Sequence, residues 1–462
     1  MTTTSIMMNR RSMTLLFLTA IATSIVLISC QKGDVPVSQE ESTAAAQRGK
    51  PTVYSSQVLD KWITMQLRLM RNATGIPNHG FSRHFAYAGI AAFESFKPGM
   101  SNQNAQWSEK WNGLPILSTN YPAKRFYLPQ NVNAALASIN KSMFPNATAA
   151  DKAAIDSLEL ALKNEFSSFA SATVIATSTQ YGQEVASAVF IWSETDGYKN
   201  ANAPYTIPVG EGYWKPTPPA FANPATPYWG NNRTIIKGST INAEPGFPGY
   251  YSPDPTSPFY QTVKEIYDAS LVLTDDQKAM ANFWKDVPGV SSPGHWVSIL
   301  QQLIKQQQTP LEEGVLAYAL TGAACNDALI ACFAGKYNHN LVRPITYIRE
   351  VMGQTTWNSF LTTPAHPEFS SAHSSLSMAS AVVIEMLFGQ NINFTDHTYD
   401  YLGYAPRTYP TIFDMAREAG ISRFYAGIHY KKSIDAGFSQ GHKVAMNIFS
   451  KTITNQARIN FK

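Results

Sequence analysis

Charge is what this chain has least of. Only 15% of its 462 residues are Asp, Glu, Lys or Arg, and 36 basic against 32 acidic side chains leave a formal net charge of +4. Soluble domains usually carry about 25% charged residues, so Asn, Gln, Ser, Thr and Tyr supply much of the polar surface, as is common outside the cytoplasm. The near-neutral balance excludes binding driven by the charge of a nucleic acid. Cysteine is almost absent, at Cys30, Cys325 and Cys332 only. The last two lie in an apolar run without Cys-x-x-Cys spacing, which excludes a disulfide scaffold and a cysteine-ligated zinc site. On one helix they stand about 10 Å apart, beyond disulfide reach. Internal repeats are lacking and strand-like alternation is scarce. What is plentiful is apolar and aromatic matter, 44% and 12%, enough for a large core and too much for disorder.

Arg10 and Arg11 precede an apolar run from Leu15 to Ile28 that ends in Leu27-Ile28-Ser29-Cys30. The run is short for a membrane span and has the flanks of a secretory signal. Cys30 sits where a bacterial lipoprotein signal places its lipidated cysteine, and Cys30-Gln31-Lys32-Gly33-Asp34 resembles lipoprotein surface-export signals. Residues 1–29 are read as a lipoprotein signal peptide and 30–52, polar and Ser/Glu/Ala-rich, as a flexible tether. Removing the signal takes away two arginines and no acid, leaving a net charge of about +2. No other run of 18 apolar residues is found, so lipid on Cys30 is the expected membrane contact, anchoring an extracytoplasmic protein to a bacterial membrane, outer membrane or cell surface included.

Apolar residues recur at helical spacing over Ser56–Met70, Arg83–Phe96, Asn131–Met143, Ala149–Phe166 and Thr179–Trp192. They do so again over Gln261–Leu271, Asp275–Trp284, Trp296–Gln307, Leu311–Ala334, Pro344–Met352, His373–Phe388, Thr411–Tyr425 and Ile434–Phe449. Between the two sets, Ala201–Tyr260 holds 12 of the 28 prolines, too many for helix, and reads as an ordered wall over a pocket. The expected fold is mostly α, two helical bundles with a long proline-rich loop region. Residues 53–260 form the N-terminal helical region with its wall, and 261–462 a C-terminal helical bundle.

Seven of the nine histidines follow residue 290, and three short segments there carry candidate chemistry. Lys336 and Arg343 stand seven apart before Pro344, where Gly335 reads as a helix stop and Pro344 as the first turn of the next helix. Alone, the pair reads first as a solvated helix end. In His366-Pro367-Glu368-Phe369-Ser370-Ser371-Ala372-His373, Ser371 reads as a helix cap, but a helix N-terminus with a hydroxyl and an imidazole is also an oxyanion cradle. In Ser422-Arg423-Phe424-Tyr425-Ala426-Gly427-Ile428-His429, a continuous helix would point Arg423 and His429 about 240° apart; Gly427 offers the break that lets them converge.

Lys-x6-Arg-Pro, then Ser-x-His opening a helix, then Ser-Arg-x5-His, in that order, resembles the phosphatidic acid phosphatase type 2 superfamily, which includes vanadium-dependent haloperoxidases and bacterial acid phosphatases. Phe283-Trp284 with Pro293-Gly294-His295-Trp296, and Gly212-Tyr213-Trp214-Lys215-Pro216-Thr217-Pro218-Pro219, look like the bacterial haloperoxidase branch, so the likeness covers most of residues 80–450. It implies that Lys336, Arg343 and Arg423 contact the oxygens of vanadate or phosphate, with Ser371 and the Ala372 amide completing the cradle. Guanidinium forks suit such oxyanions. It further implies that His429 binds vanadium as axial ligand, or phosphorus as nucleophile, and that His373 is the acid/base group. Vanadate is the implied cofactor, hydrogen peroxide and halide the partners, and Lys336 the group that polarises the peroxide. His366 falls where algal bromoperoxidases carry a second active-site histidine, which favours bromide or iodide, with Phe333 on the same halide side.

The chain departs from the family pattern in three places. Ser370 stands for a proline and Ala372 for a glycine of the Pro-Ser-Gly-His form, which alanine tolerates where φ stays negative. Ser433 stands where an aspartate often follows the last histidine by four, leaving the partner of His429 unassigned. Asp286 is the expected ion-pair partner of Arg423 or Arg343. Two other functions remain open on sequence: an acid-phosphatase-like phosphomonoesterase with His429 as nucleophile, and a non-catalytic ligand-binding surface lipoprotein.

Overall fold

This computed structural model describes residues 53–115, 125–287 and 289–450; the signal peptide, Cys30 and the tether to residue 52 lie outside them. The first half of the described chain is α1 (Gln57–Asn72), α2 (Phe81–Phe96), α3 (Asn102–Ala105), α4 (Leu128–Met143), α5 (Ala149–Phe166) and α6 (Ala172–Ser193). The second half is α7 (Pro258–Ser270), α8 (Asp275–Phe283), α9 (Ser292–Gln306), α10 (Leu311–His339), α11 (Pro344–Glu350), α12 (Ala372–Phe388), α13 (Ile412–Tyr425) and α14 (Lys431–Ser450). A short antiparallel pair, β1 (Phe394–Asp396) and β2 (Arg407–Tyr409), separates α12 from α13, with Phe394 opposite Tyr409. The mostly α expectation holds.

Hydroxyl caps start several helices: Thr148 accepts from the Asp151 amide, Thr411 from that of Asp414, and Thr274 forms a reciprocal capping box with Gln277. α6 begins seven residues before its expected start. Its first turns are rich in Thr and Ser, poor helix formers, but Ser171 caps the Val174 amide.

Helix α10 is the axis of the fold, packing on α2 on one side and α12 on the other. Glycines make the α10–α2 crossing close, and likewise that of α12 with α14. A Cβ at Gly322 would lie 2.8 Å from Ala86 Cα, and one at Gly441 of α14 would lie 2.0 Å from the Ser375 carbonyl oxygen. By length and composition α10 could cross a membrane, contrary to the expectation that no further segment would, yet it is wholly buried inside the fold. Cys325 and Cys332 both lie on it as buried free thiols. It also runs five residues past Ala334. Gly335 is no helix stop: its hydrogen makes room for Pro245, whose Cγ would be 3.0 Å from a Cβ there. Asn340, at φ 46°, ends the helix instead.

The segment between α6 and α7 is irregular, as its prolines require, and is lashed to α10. The buried Asp327 carboxylate accepts from the Ile235 amide at 2.7 Å, the Ile236 amide at 3.0 Å and Ser239 Oγ at 2.7 Å. Earlier in the segment, Tyr213 bridges Leu341, just past the end of α10.

Candidate active site

Beneath this strap a cavity of about 560 Å³ opens among the starts of α9 and α12, the end of α13 and the loops around residues 76–79, 285–287 and 361–366. His366, Ala372, His373, Arg423 and His429 line it, with His79, Asp286, Ser292, Leu329, Phe333, Leu376 and Ile428. Of the proline-rich segment only Ala225 lines it, so that segment braces the site more than it walls it.

Lys336, Arg343 and Ser371 stand behind this lining and are completely buried, which rules out a solvated helix end. Lys336, in the last turn of α10, donates through Nζ to the carbonyl oxygens of Pro367 at 3.1 Å, Glu368 at 3.0 Å and Ser370. Burial pushes its ammonium down to about 8. Arg343 caps α11; its Nε donates to the His366 carbonyl at 2.9 Å, Nη1 to the Ile428 carbonyl at 2.8 Å and Nη2 to His366 Nδ1 at 2.9 Å. Arg423 donates through Nη2 to the Ala281 carbonyl and through Nε to Ser422 Oγ, both at 3.0 Å. Burial lowers each guanidinium to about 10, which leaves both cationic at neutral pH. None of the three cations forms a salt bridge with an acidic side chain among the described residues. Glu368 and Asp286 act on them from beyond 4 Å, which leaves three buried cations to two carboxylates, an arrangement suited to an anion.

Ser371 caps α12 by accepting from the Ser374 amide, and Ala372 opens that helix without positive φ, so alanine fits where the family uses glycine. Gly427 adopts φ 76° and breaks the chain after α13, so that Arg423 and His429 both reach the cavity.

His373 Nε2 lies 2.9 Å from the Trp284 carbonyl and 2.7 Å from Ser292 Oγ. A carbonyl only accepts, so Nε2 carries the proton and Nδ1 is the basic atom. Burial, then Arg423, lower this imidazole to about 3, so it is neutral. The expected pairing of Asp286 with an arginine is corrected. Its Oδ1 accepts from the Ser292 amide and hydroxyl, both at 2.8 Å, and lies 4.0 Å from His373 Nε2. Burial opposes its ionisation, but His373, the two Ser292 donors and Arg423 outweigh it and hold the carboxyl below its usual range.

Glu368 was not singled out in the sequence, yet its carboxylate is the missing partner of His429. Oε1 accepts from His429 Nδ1 at 2.7 Å and from the Tyr430 amide at 3.0 Å, and Oε2 accepts from Ser433 Oγ at 2.6 Å. Burial raises its carboxyl, against the pull of Arg343, Ser433 and Lys336. His429 is driven well below the usual histidine value by burial and the cations Arg343 and Lys336.

A family model described as the VCPO second helical-bundle domain matches residues 316–456, the stretch that carries all three motifs. The fold is similar to a solved bacterial vanadium-dependent iodoperoxidase, at 28% identity and a TM-score of 0.76, over 87% of this chain and 98% of that one. Its C-terminal bundle matches a haloperoxidase domain, and its fold is that of the vanadium haloperoxidases. The haloperoxidase fold is shared more distantly with a bacterial vanadium-dependent chloroperoxidase. Its apo form aligns at 17% identity and a TM-score of 0.61 over 82% of this chain and 94% of that one, and its holo form at 17% and 0.61 over 88% and 100%. No curated protein sequence matches the chain.

His366 and Phe333 share one side of the cavity, ring centroids 5.2 Å apart. Sequence reasoning missed His79, which reaches the same side from the N-terminal half. Its ring lies 4.3 Å from that of Phe333 and its Nε2 2.7 Å from Thr226 Oγ1. No sequence signal marked it, because the contact spans some 250 residues.

Proposed function

We propose that the protein is a vanadate-dependent haloperoxidase that oxidises iodide or bromide with hydrogen peroxide to hypohalous acid. The observation that carries this reading is the set of three buried cations in no direct salt bridge, gathered around a neutral histidine that a carboxylate orients. Lys336, Arg343 and Arg423 would balance the charge of vanadate, Ser371 and the Ala372 amide would add hydrogen bonds, and His429 Nε2 would be the ligand. When bound, vanadate supplies the Lewis acidity that activates hydrogen peroxide toward halide attack.

The chain's own residues handle the proton. His373, neutral with Nδ1 free, takes a proton there from hydrogen peroxide. The imidazolium so formed keeps Nε2–H on Ser292, whose hydroxyl passes the charge interaction to Asp286. Iodide or bromide follows from His366 on the halide side and agrees with the likeness to an iodoperoxidase. The apolar run ending at Cys30 supports an extracytoplasmic mature chain held to a membrane by lipid on that cysteine.

Glu368 also favours the phosphomonoesterase reading more than the sequence did, because a phosphoryl-accepting His429 needs the same orienting carboxylate. One experiment separates them. The purified mature protein, preincubated with orthovanadate, is assayed with hydrogen peroxide and iodide or bromide, and without vanadate on a chromogenic phosphate ester. Vanadate-dependent halide oxidation that His429→Ala abolishes is expected; ester turnover alone, inhibited by vanadate, would replace the peroxidase with the phosphatase.

A further inference from the structure

Two hydrogen bonds fix the tautomer of His429. Nδ1 lies 2.7 Å from Glu368 Oε1, which also accepts from the Tyr430 amide. On the opposite side of the ring, Arg343 Nη1 lies 3.3 Å from Nε2. A guanidinium only donates, so Nε2 must present its lone pair and Nδ1 must carry the hydrogen. Both contacts therefore demand the same tautomer, the one in which Nε2 keeps the lone pair that coordination needs.

We propose that Glu368 is the positioning residue that makes His429 a ligand, a role taken by a carboxylate from the segment before α12. Position 433, four residues after His429, carries a serine that supports this carboxylate: Ser433 Oγ donates to Oε2 at 2.6 Å. Glu368 is completely buried, and its carbonyl also accepts from Lys336 Nζ at 3.0 Å. One residue thus sets the histidine through its side chain and the lysine through its backbone. A carboxylate on Nδ1–H raises the electron density at Nε2 and holds the ring plane, and partners of this kind typically change metal affinity by about 10–100-fold. The inference rests on His429 being the vanadate ligand.

The test measures vanadate affinity by titration calorimetry, and the protonated ring nitrogen of His429 by ¹⁵N NMR of the vanadate-free protein. Glu368→Ala is expected to weaken vanadate binding about 10–100-fold and to lose the fixed Nδ1–H signal. Adding Ser433→Asp to that variant returns a carboxylate to the vacated space beside Nδ1 and is expected to restore affinity to within a few-fold. A purely structural role for Glu368 would not give that rescue. Should the alanine variant fail to fold, the isosteric Glu368→Gln keeps the geometry without the charge and is expected to lose about tenfold in affinity. Parental affinity in both Glu368 variants, with binding lost in His429→Ala, would overturn the inference and spare the site. Parental affinity in His429→Ala would overturn the site itself.

Discussion

His373 and His429 face one cavity with opposite ring nitrogens committed, His373 through Nε2 and His429 through Nδ1. The backbone and carboxylate partners, rather than the histidines themselves, set which nitrogen is left basic, and in the proposed function that divides proton transfer from ligation. Ser292 is the one hydroxyl between His373 and Asp286, so Ser292→Ala is expected to lower kcat for halide oxidation by about 10–100-fold. Vanadate affinity, read by titration, should stay within about twofold because Ser292 touches none of the three cations. Equal losses in both would show that Ser292 holds the anion site together. At this scale the sequence was legible wherever chemistry sat within one short segment: Ser371 with His373, Arg423 with His429. It was silent where partners lie far apart. Glu368 and His429 are 61 residues apart, and nothing in the segment around Glu368 distinguishes a glutamate that orients an imidazole from one that faces water.

Helices α12 and α14 meet through glycines spaced four apart on one face of α14. A Cβ at Gly437 would lie 2.6 Å from the Ser371 carbonyl oxygen and one at Gly441 2.0 Å from that of Ser375. The Ser371 amide in turn donates to the Ser433 carbonyl at 3.0 Å. The cradle and the helix crossing are therefore one piece of packing. Gly437→Ala is expected to cost about 1–3 kcal/mol by overpacking, read as a lower urea midpoint, and to weaken vanadate binding with it, since α14 must move away from the start of α12. Unchanged affinity in a destabilised variant would uncouple the two. Helical periodicity in the sequence located these elements to within a few residues at most ends, because each buries one continuous face. It misread Gly335 because a glycine that ends a helix and one that admits a neighbouring proline look alike in a single sequence.

Across the whole molecule a second buried acid and histidine tie the periphery to the site. Asp396 of β1 meets His295 of α9 at 2.6 Å, His295 stacks on Trp284 at 4.3 Å, and the Trp284 carbonyl holds His373. Burial opposes the Asp396 charge, yet His295 and Thr398 hold its carboxyl below the ordinary aspartate value of 3.8. A carboxyl with a depressed native value contributes stability that is fully present above 3.8 and is lost as pH falls through the native value, because the unfolded state takes up the proton first. Asp396→Asn is expected to cost about 3–5 kcal/mol near neutral pH and to flatten the acid limb of Tm against pH. Calorimetry from pH 7 to pH 3 checks this, and parallel curves for parent and variant would refute it. The cavity has one more consequence. The chain holds 14 methionines, 9 tryptophans, 22 tyrosines and 3 cysteines, yet among the described residues none of them lines it. Thiols, thioethers and electron-rich rings are the side chains that strong oxidants consume first. A hypohalous acid formed in this chamber, as proposed, would meet none of them on its walls and would reach the oxidisable side chains of the protein only after leaving.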